Sequence, residues 1–114
     1  MSAEDRALLS AAANTVAGIS CTPYFRQTTR PGDAYVRLDR MNRDSSGFAY
    51  MNVWQVIVIL PQDLAAAEKY LDDKIEDLLV AIREVMVITT VVPQRLSLDS
   101  GILPVVFIEG NRAT

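Results

Sequence analysis

The sequence predicts an α+β domain: an N-terminal helix, a β-hairpin, a long helix and a second β-hairpin, with four strands in one mixed sheet packed by the helices. Three observations predict it. Apolar residues recur at helical spacing through 61–84, apolar and polar residues alternate through 34–41, and β-rich runs at 48–60 and 86–92 flank the helical stretch. The 114 residues, half of them hydrophobic, form one domain over 1–114. A chain of this length can bury roughly two thirds of its extended-chain surface without staples.

Residues 2–17 read as a helix because Leu8, Ala11, Ala12 and Val16 recur at spacings of three or four, with Ser2 placed to cap the free amides and Gly18 to end it. Its apolar stripe is mostly alanine and buries little area, so the helix leans on a sheet or on another subunit. Thr22-Pro23 favours extended backbone, Tyr24–Thr29 reads as loop or irregular strand, and Pro31-Gly32-Asp33 as a turn. Ala34, Val36 and Leu38 then alternate with Tyr35, Arg37 and Asp39, which gives a half-buried strand over 34–41. A turn-rich stretch, Asn42–Gly47, leads into a long second arm, Phe48–Leu60. Trp54, Val56 and Val58 occupy one face of that arm and Val53, Ile57 and Ile59 the other, so the strand is covered twice.

Pro61–Glu84 carries Leu64, Ala67, Leu71, Ile75, Leu78, Leu79 and Ile82 at helical period, and Pro61 and Asp63 suit a helix start. Met86–Val92 is β-branched and reads as a strand. Strand, helix, strand implies a right-handed crossover with Val53–Leu60 and Met86–Val92 parallel. Pro93 interrupts the pattern, Gln94–Leu98 resumes it, and Asp99-Ser100-Gly101 turns the chain into Ile102–Glu109. Pro104 places that last strand at an edge, and residues 110–114 read as a frayed tail.

Composition removes whole classes of function. The chain has no histidine, so Ser-His-Asp and Cys-His catalysis are excluded, and one cysteine, Cys21, can make neither an internal disulfide nor a Cys/His metal site. Cys21 reads as a small buried filler in a reducing compartment. The five glycines are isolated, so no phosphate-cradling loop is present. A net charge of -3 opposes a sequence-independent grip on nucleic acid. Acids Glu4 and Asp5 stand where a secretory signal needs bases, and no apolar run approaches the ~20 residues that span a bilayer, so a soluble protein without a membrane partner is expected. The expectation is a non-enzyme with no catalytic residues, no metal and no cofactor.

Charge is unevenly placed. Residues 26–44 hold five arginines (Arg26, Arg30, Arg37, Arg40, Arg43) against three acids, whereas residues 61–85 hold seven acids against three bases. In the second helix Glu68, Asp72 and Glu76 are spaced four apart, with Asp73 and Asp77 beside them, and stacked like charges cost a few tenths of a kcal/mol per pair. This row is either a solvated face, or an acidic surface that repels DNA or meets a basic partner. As a hard-metal or acid/base cluster, Asp72, Asp73 and Glu76 lack both a histidine and a nucleophile. The hairpin arginines Arg37, Arg40 and Arg43, with the aromatic Tyr35, Phe48 and Tyr50, are the candidate oligomer or docking interface, because arginine and aromatics are favoured at interfaces. Ordinary surface pairing with Asp39 and Asp44 is the plain alternative. Trp54 reads as core.

Several segments together resemble the tail terminator (tail completion) proteins of long-tailed bacteriophages. They are Pro31-Gly32-Asp33-Ala34-Tyr35-Val36-Arg37-Leu38 before the hairpin, Trp54-Gln55-Val56-Ile57-Val58-Ile59-Leu60-Pro61 running into an Ala-rich acidic helix, and Val91-Val92-Pro93 followed by Arg95-Leu96 and a short last strand. The resemblance covers most of the chain and lies in patterns of fold. It implies a virion structural subunit, assembled in the host cytoplasm, that closes as a homo-oligomer, a hexameric ring, at the head-proximal end of the tail. Such a ring caps the tail tube protein, meets the head-completion or connector protein on its other face, and lets double-stranded DNA pass through the lumen without specific binding. On this reading Glu68, Asp72, Asp73, Glu76 and Asp77 form the candidate acidic ring surface. Another neck or connector subunit, and a ferredoxin-like ligand-binding regulatory module with a pocket between helix and sheet, are the alternatives.

Overall fold

The computed structural model describes residues 2–43, 50–98 and 101–113. The elements are α1 (Ser2–Asn14), β1 (Ser20–Thr22), β2 (Asp33–Arg43), β3 (Tyr50–Ile59), α2 (Leu64–Ile82), β4 (Val87–Leu98) and β5 (Gly101–Ala113). They build an α+β fold with one mixed five-stranded sheet in the order β1-β2-β3-β5-β4, in which only β1 and β2 run parallel. The Ser2 side chain and residues 44–49 and 99–100, within which the sequence predicts turns, lie outside the described residues.

Four expectations are corrected. The sheet has five strands rather than four, because Ser20–Thr22, too short to show periodicity, pairs with Asp33–Tyr35. Its Cys21 is held from the other side by α1: the Cys21 N–H donates to Asn14 Oδ1 at 2.6 Å, and the Cys21 carbonyl accepts from Asn14 Nδ2 at 3.0 Å and Ser10 Oγ at 2.8 Å. The last strand lies between β3 and β4, not at an edge. Pro104 is tolerated there because its carbonyl accepts from Leu60 N–H, so its nitrogen points to the side where β3 has just ended. Residues 110–113 are strand rather than tail, and β4 runs unbroken through Pro93. The crossover pair β3 and β4 do run in the same direction, since both are antiparallel to the β5 that separates them.

The alternation in β3 sorts the core into two layers. Trp54, Val56 and Val58 face the helices, in one cluster with Leu9, Ala13 and Val16 of α1 and its exit, and Ala67, Leu78 and Ile82 of α2. Ile57 and Ile59 face the other way, with Tyr35, Leu103 and Val105. The segment after β1 reaches this second face, where the Phe25 ring meets Tyr35 edge-on at 5.0 Å and 82°. α2 begins as its sequence dictates: Asp63 stays extended and accepts from the Ala66 N–H at 3.0 Å.

Two glycines are fixed by neighbours. Gly32 sits at φ +90°, and a β-carbon there would stand 2.4 Å from the Gly18 carbonyl oxygen. Gly110 lies opposite Trp54 in the β3–β5 ladder, and a β-carbon would meet the Val87 carbonyl at 2.5 Å and the Met86 sulfur at 2.8 Å. The first allows the turn into β2, and the second lets the chain before β4 pack down onto β5.

Candidate functional site

Strand alternation, shifted by one residue at the bulge between Leu38 and Arg40, decides where the arginines go. Arg37 and Arg40 share the face that carries Tyr35, away from the helices, and there they meet acids. Arg37 lies 3.9 Å from Asp39, Arg40 pairs with Asp39 and stands 3.8 Å from Glu109, and Gln55 donates to Glu109 at 3.3 Å. Both arginine side chains keep about half their surface in water, so each pair is worth no more than about 1 kcal/mol. Arg43 is opposite Tyr50 at the far end of the hairpin, its guanidinium 6.0 Å from the ring. The structure therefore joins Arg37 and Arg40 in one patch and leaves Arg43 with Tyr50 on the helix-facing side. Phe48 lies outside the described residues. Tyr35 is 6% exposed and packs inside its own chain's second core layer, where burial pushes its phenol pKa up, opposed by the charge of Arg37.

The acidic row behaves differently. Glu68, Asp72, Asp73, Glu76 and Asp77 are all exposed along α2, while Ala67, Leu78 and Ile82 turn inward. Among the described residues none of the five takes part in an ion pair. Lys74 on the same helix instead donates to the Ala17 carbonyl at 2.9 Å, which ties α2 to the exit of α1. Carboxylates thus line the outer helical layer, and Arg37 and Arg40 with their partners Asp39 and Glu109 the opposite face of the sheet. No group of His, Cys, Asp and Glu residues placed to hold a metal ion occurs among the described residues.

The ordered interior holds charges that sequence reading passed over. Asp5 on α1 is 5% exposed, and Arg112 on β5 donates from Nε to its Oδ1 at 2.7 Å and from a terminal nitrogen to the Val85 carbonyl. Arg6, one residue on, stacks over Trp54 at 5.2 Å and Tyr24 at 4.6 Å and donates to the carbonyls of Pro23 and Val36. Asp5 and Arg112 are 107 residues apart, and no local pattern pairs them. An apolar groove of about 210 Å³ runs between the start of α2 and the β4–β5 hairpin, lined by Leu60, Leu64, Leu71, Pro93 and Pro104, with Glu68 and Arg95 at its rim.

Cys21 is buried, and desolvation pushes its thiol up to about 11 against the opposing pull of Ser10 and Arg26. That rise above the ordinary thiol range lowers the thiolate fraction about 100-fold at pH 8. Native protein is expected to react with a thiol reagent at least that much more slowly than urea-unfolded protein. Equal rates would show that the α1–β1 contact opens freely.

No protein-family model matches the chain, and no curated protein matches it significantly. No described helix is long and apolar enough to cross a membrane.

Proposed function

We propose that the chain is a structural, non-catalytic subunit of a homo-oligomeric ring, a hexamer, at the head-proximal end of a long bacteriophage tail: the tail terminator. In this role it caps the tail tube protein, joins it to the head-completion or connector protein, and lets double-stranded DNA through its lumen without specific binding. The observation that carries the reading is the separation of charge between layers. Five exposed carboxylates, none in an ion pair among the described residues, lie on one side, whereas on the other Arg37 and Arg40 are balanced by Asp39 and Glu109, so an acidic surface backs a neutral, ion-paired one. The segments that resemble tail terminators also fall on coherent parts of the fold: 31–38 form the turn and first half of β2, 54–61 the buried half of β3 and the approach to α2, and 91–96 the middle of β4. Imaging of complete tails with labelled protein is expected to find a ring of copies at the head-proximal end. A single copy per particle, or none at that end, removes the reading.

The acidic row is assigned to the wall that DNA passes. Duplex DNA carries one charge per about 1.7 Å of axis, so a wall that bound phosphates would retain the genome during ejection. Screening confines the effect to about 8 Å at physiological salt. In the triple variant Asp72→Asn, Asp73→Asn, Glu76→Gln, tail length and particle yield are expected to stay normal while DNA ejection slows. Loss of head joining with normal ejection would put the helix at a docking face instead, and no change in any of the three would leave a solvated surface.

The groove between α2 and the β4–β5 hairpin favours the ligand-binding module. The element order α1-β1-β2-β3-α2-β4-β5 lacks the β-α-β-β-α-β order of ferredoxin-like domains. A virion subunit in the neck, terminator or connector, fits the charge separation better.

A further inference from the structure

The outer flank of the second hairpin is open. β4 has no described strand beyond it, whereas at the opposite end of the sheet β1 covers β2 along Asp33–Tyr35. In β4 the run Val87-Ile88-Thr89-Thr90-Val91-Val92 holds no charge, glycine or proline, every residue is β-branched, and Val87 is 70% exposed. Natural edge strands are guarded by charge, proline, a bulge or a covering element. The guards here are a bulge at Thr89 and, past the run, Pro93.

The main chain of this edge is set out for pairing. Because the Pro104 carbonyl bonds to Leu60, alternation turns Pro104, Val106, Ile108 and Gly110 toward β3. Val91 and Ile88, opposite Ile108 and Gly110, therefore turn their N–H and C=O groups outward. The two are three residues apart in the chain, but the bulge sets Thr89 and Thr90 against the single residue Glu109. Their outward groups are thus spaced like those of alternate residues in a regular strand. They fit Val91 and Ile88 of a second, antiparallel copy, and a two-fold axis between them sets the two bulges side by side.

α2 runs antiparallel along the same flank. Its start, with Leu64 and Leu71, lines the 210 Å³ groove beside Pro93, with Glu68 and Arg95 at the rim. Its end, with Leu79, lines an open recess of about 570 Å³ beside Met86 and Ile88, with Arg83 and Glu84 at the rim. Between these hollows Ile75 of α2 and Val91 of β4 are half-buried. The flank is therefore apolar along its length and carries one acid and one base at each end. Among the described residues none of Glu68, Arg83, Glu84 and Arg95 takes part in an ion pair. A two-fold axis through the middle of the flank lays the groove of one copy against the recess of the other. With Ile88 opposite Val91, Val87 falls opposite Val92 and Met86 opposite Pro93, which brings Arg95 toward Glu84 along the strands and Glu68 toward Arg83 along the helices. A copy laid parallel would set each charge beside its like, so the flank's own charges select a reversed second copy as its occupant.

We propose that two copies of this chain join through the β4–α2 flank about a two-fold axis, Val87–Val92 of one pairing antiparallel with Val87–Val92 of the other, so that the two sheets become one. A contact of this kind stops at two copies. It does not rest on the ring reading, whose head-to-tail series uses other surfaces.

Sedimentation equilibrium of the purified protein is expected to find a dimer. Glu84→Arg alone and Arg95→Glu alone each set like charges together at both ends of the contact, and each is expected to weaken it at least about tenfold. An equimolar mixture of the two variants is expected to recover, because a mixed pair has opposite charges at each end. The register is tested by Val87→Cys and Val92→Cys in one chain, with buried Cys21 left in place. The two positions share the face turned away from the helices and meet across the contact. Within one chain they stand about 13 Å apart, beyond the reach of a disulfide. Under mild copper-catalysed oxidation the double variant is expected to give a covalent dimer and nothing larger, and each single variant to stay uncross-linked. Monomer at every concentration, a ladder beyond the dimer, or a charge-variant mixture as weak as its parts overturns the contact. A dimer from protein that never reaches the tail end sinks the terminator reading alone, and tail capping by protein that forms no dimer sinks this contact alone.

Discussion

Replacing Trp54 with alanine is expected to lower stability by about 3–5 kcal/mol and the melting temperature by roughly 12–20 °C. Trp54 is fully buried at the centre of β3, opposite Leu38 on one side and Gly110 on the other. Gly110 has no side chain to fill the space, and its close approach to the Val87 carbonyl prevents the backbone from following the lost ring inward. Arg6 would also lose the ring it stacks on while keeping its bonds to Pro23 and Val36. Trp54→Phe keeps an aromatic body and removes an indole N–H that has no partner, so its loss is expected to be much smaller. Since Trp54 is the only tryptophan, unfolding is followed by circular dichroism in urea and on heating. An alanine variant that melts within a few degrees of the parent would show that α1 collapses onto the sheet to fill the cavity.

Arg112→Ala is expected to cost about 3 kcal/mol, the low end of the range for breaking a buried pair because the Arg112 side chain keeps 31% of its surface in water. The variant leaves the Asp5 carboxylate, 7% exposed, without its cation, and the Val85 carbonyl without its donor. Its Oδ2 already has no partner, so nothing in the site takes up the freed charge. The double variant Asp5→Leu, Arg112→Met removes both charges and is expected to recover most of the loss, as apolar replacements of buried pairs do. A double-mutant cycle in urea measures it. Additive losses from Asp5→Leu and Arg112→Met would mean that the two side chains contribute independently and that β5 is held at 110–113 by its main-chain ladder alone.

The helices and the principal strands were legible because each carries its own period. α2 declared itself through Ala67, Leu71, Leu78 and Ile82 and the Asp63 cap, and β3 through apolar residues on both faces, which required a layer on each side. The exposed acidic row followed from the same helical period, since residues that are not on the inward stripe must face out. Proline was legible only in part. Pro93 and Pro104 both forbid a donor, but whether that absence falls at an edge or beyond the end of a neighbouring strand depends on which side the nitrogen faces. Reading Pro104 as the edge marker therefore placed the open edge on the wrong strand of the second hairpin.

By itself the sequence determined the α+β class, the two helices, the hairpin arms, the charge separation, and the absence of histidine chemistry, because periodicity and composition are local properties. Only the tertiary structure decided that β5 inserts between β3 and β4, that Ser20–Thr22 adds a fifth strand, that Tyr35 belongs to the core, and that Asp5 meets Arg112. Each of these depends on contacts between segments far apart in the chain, whose partners are chosen by which surfaces remain uncovered once the local elements have formed.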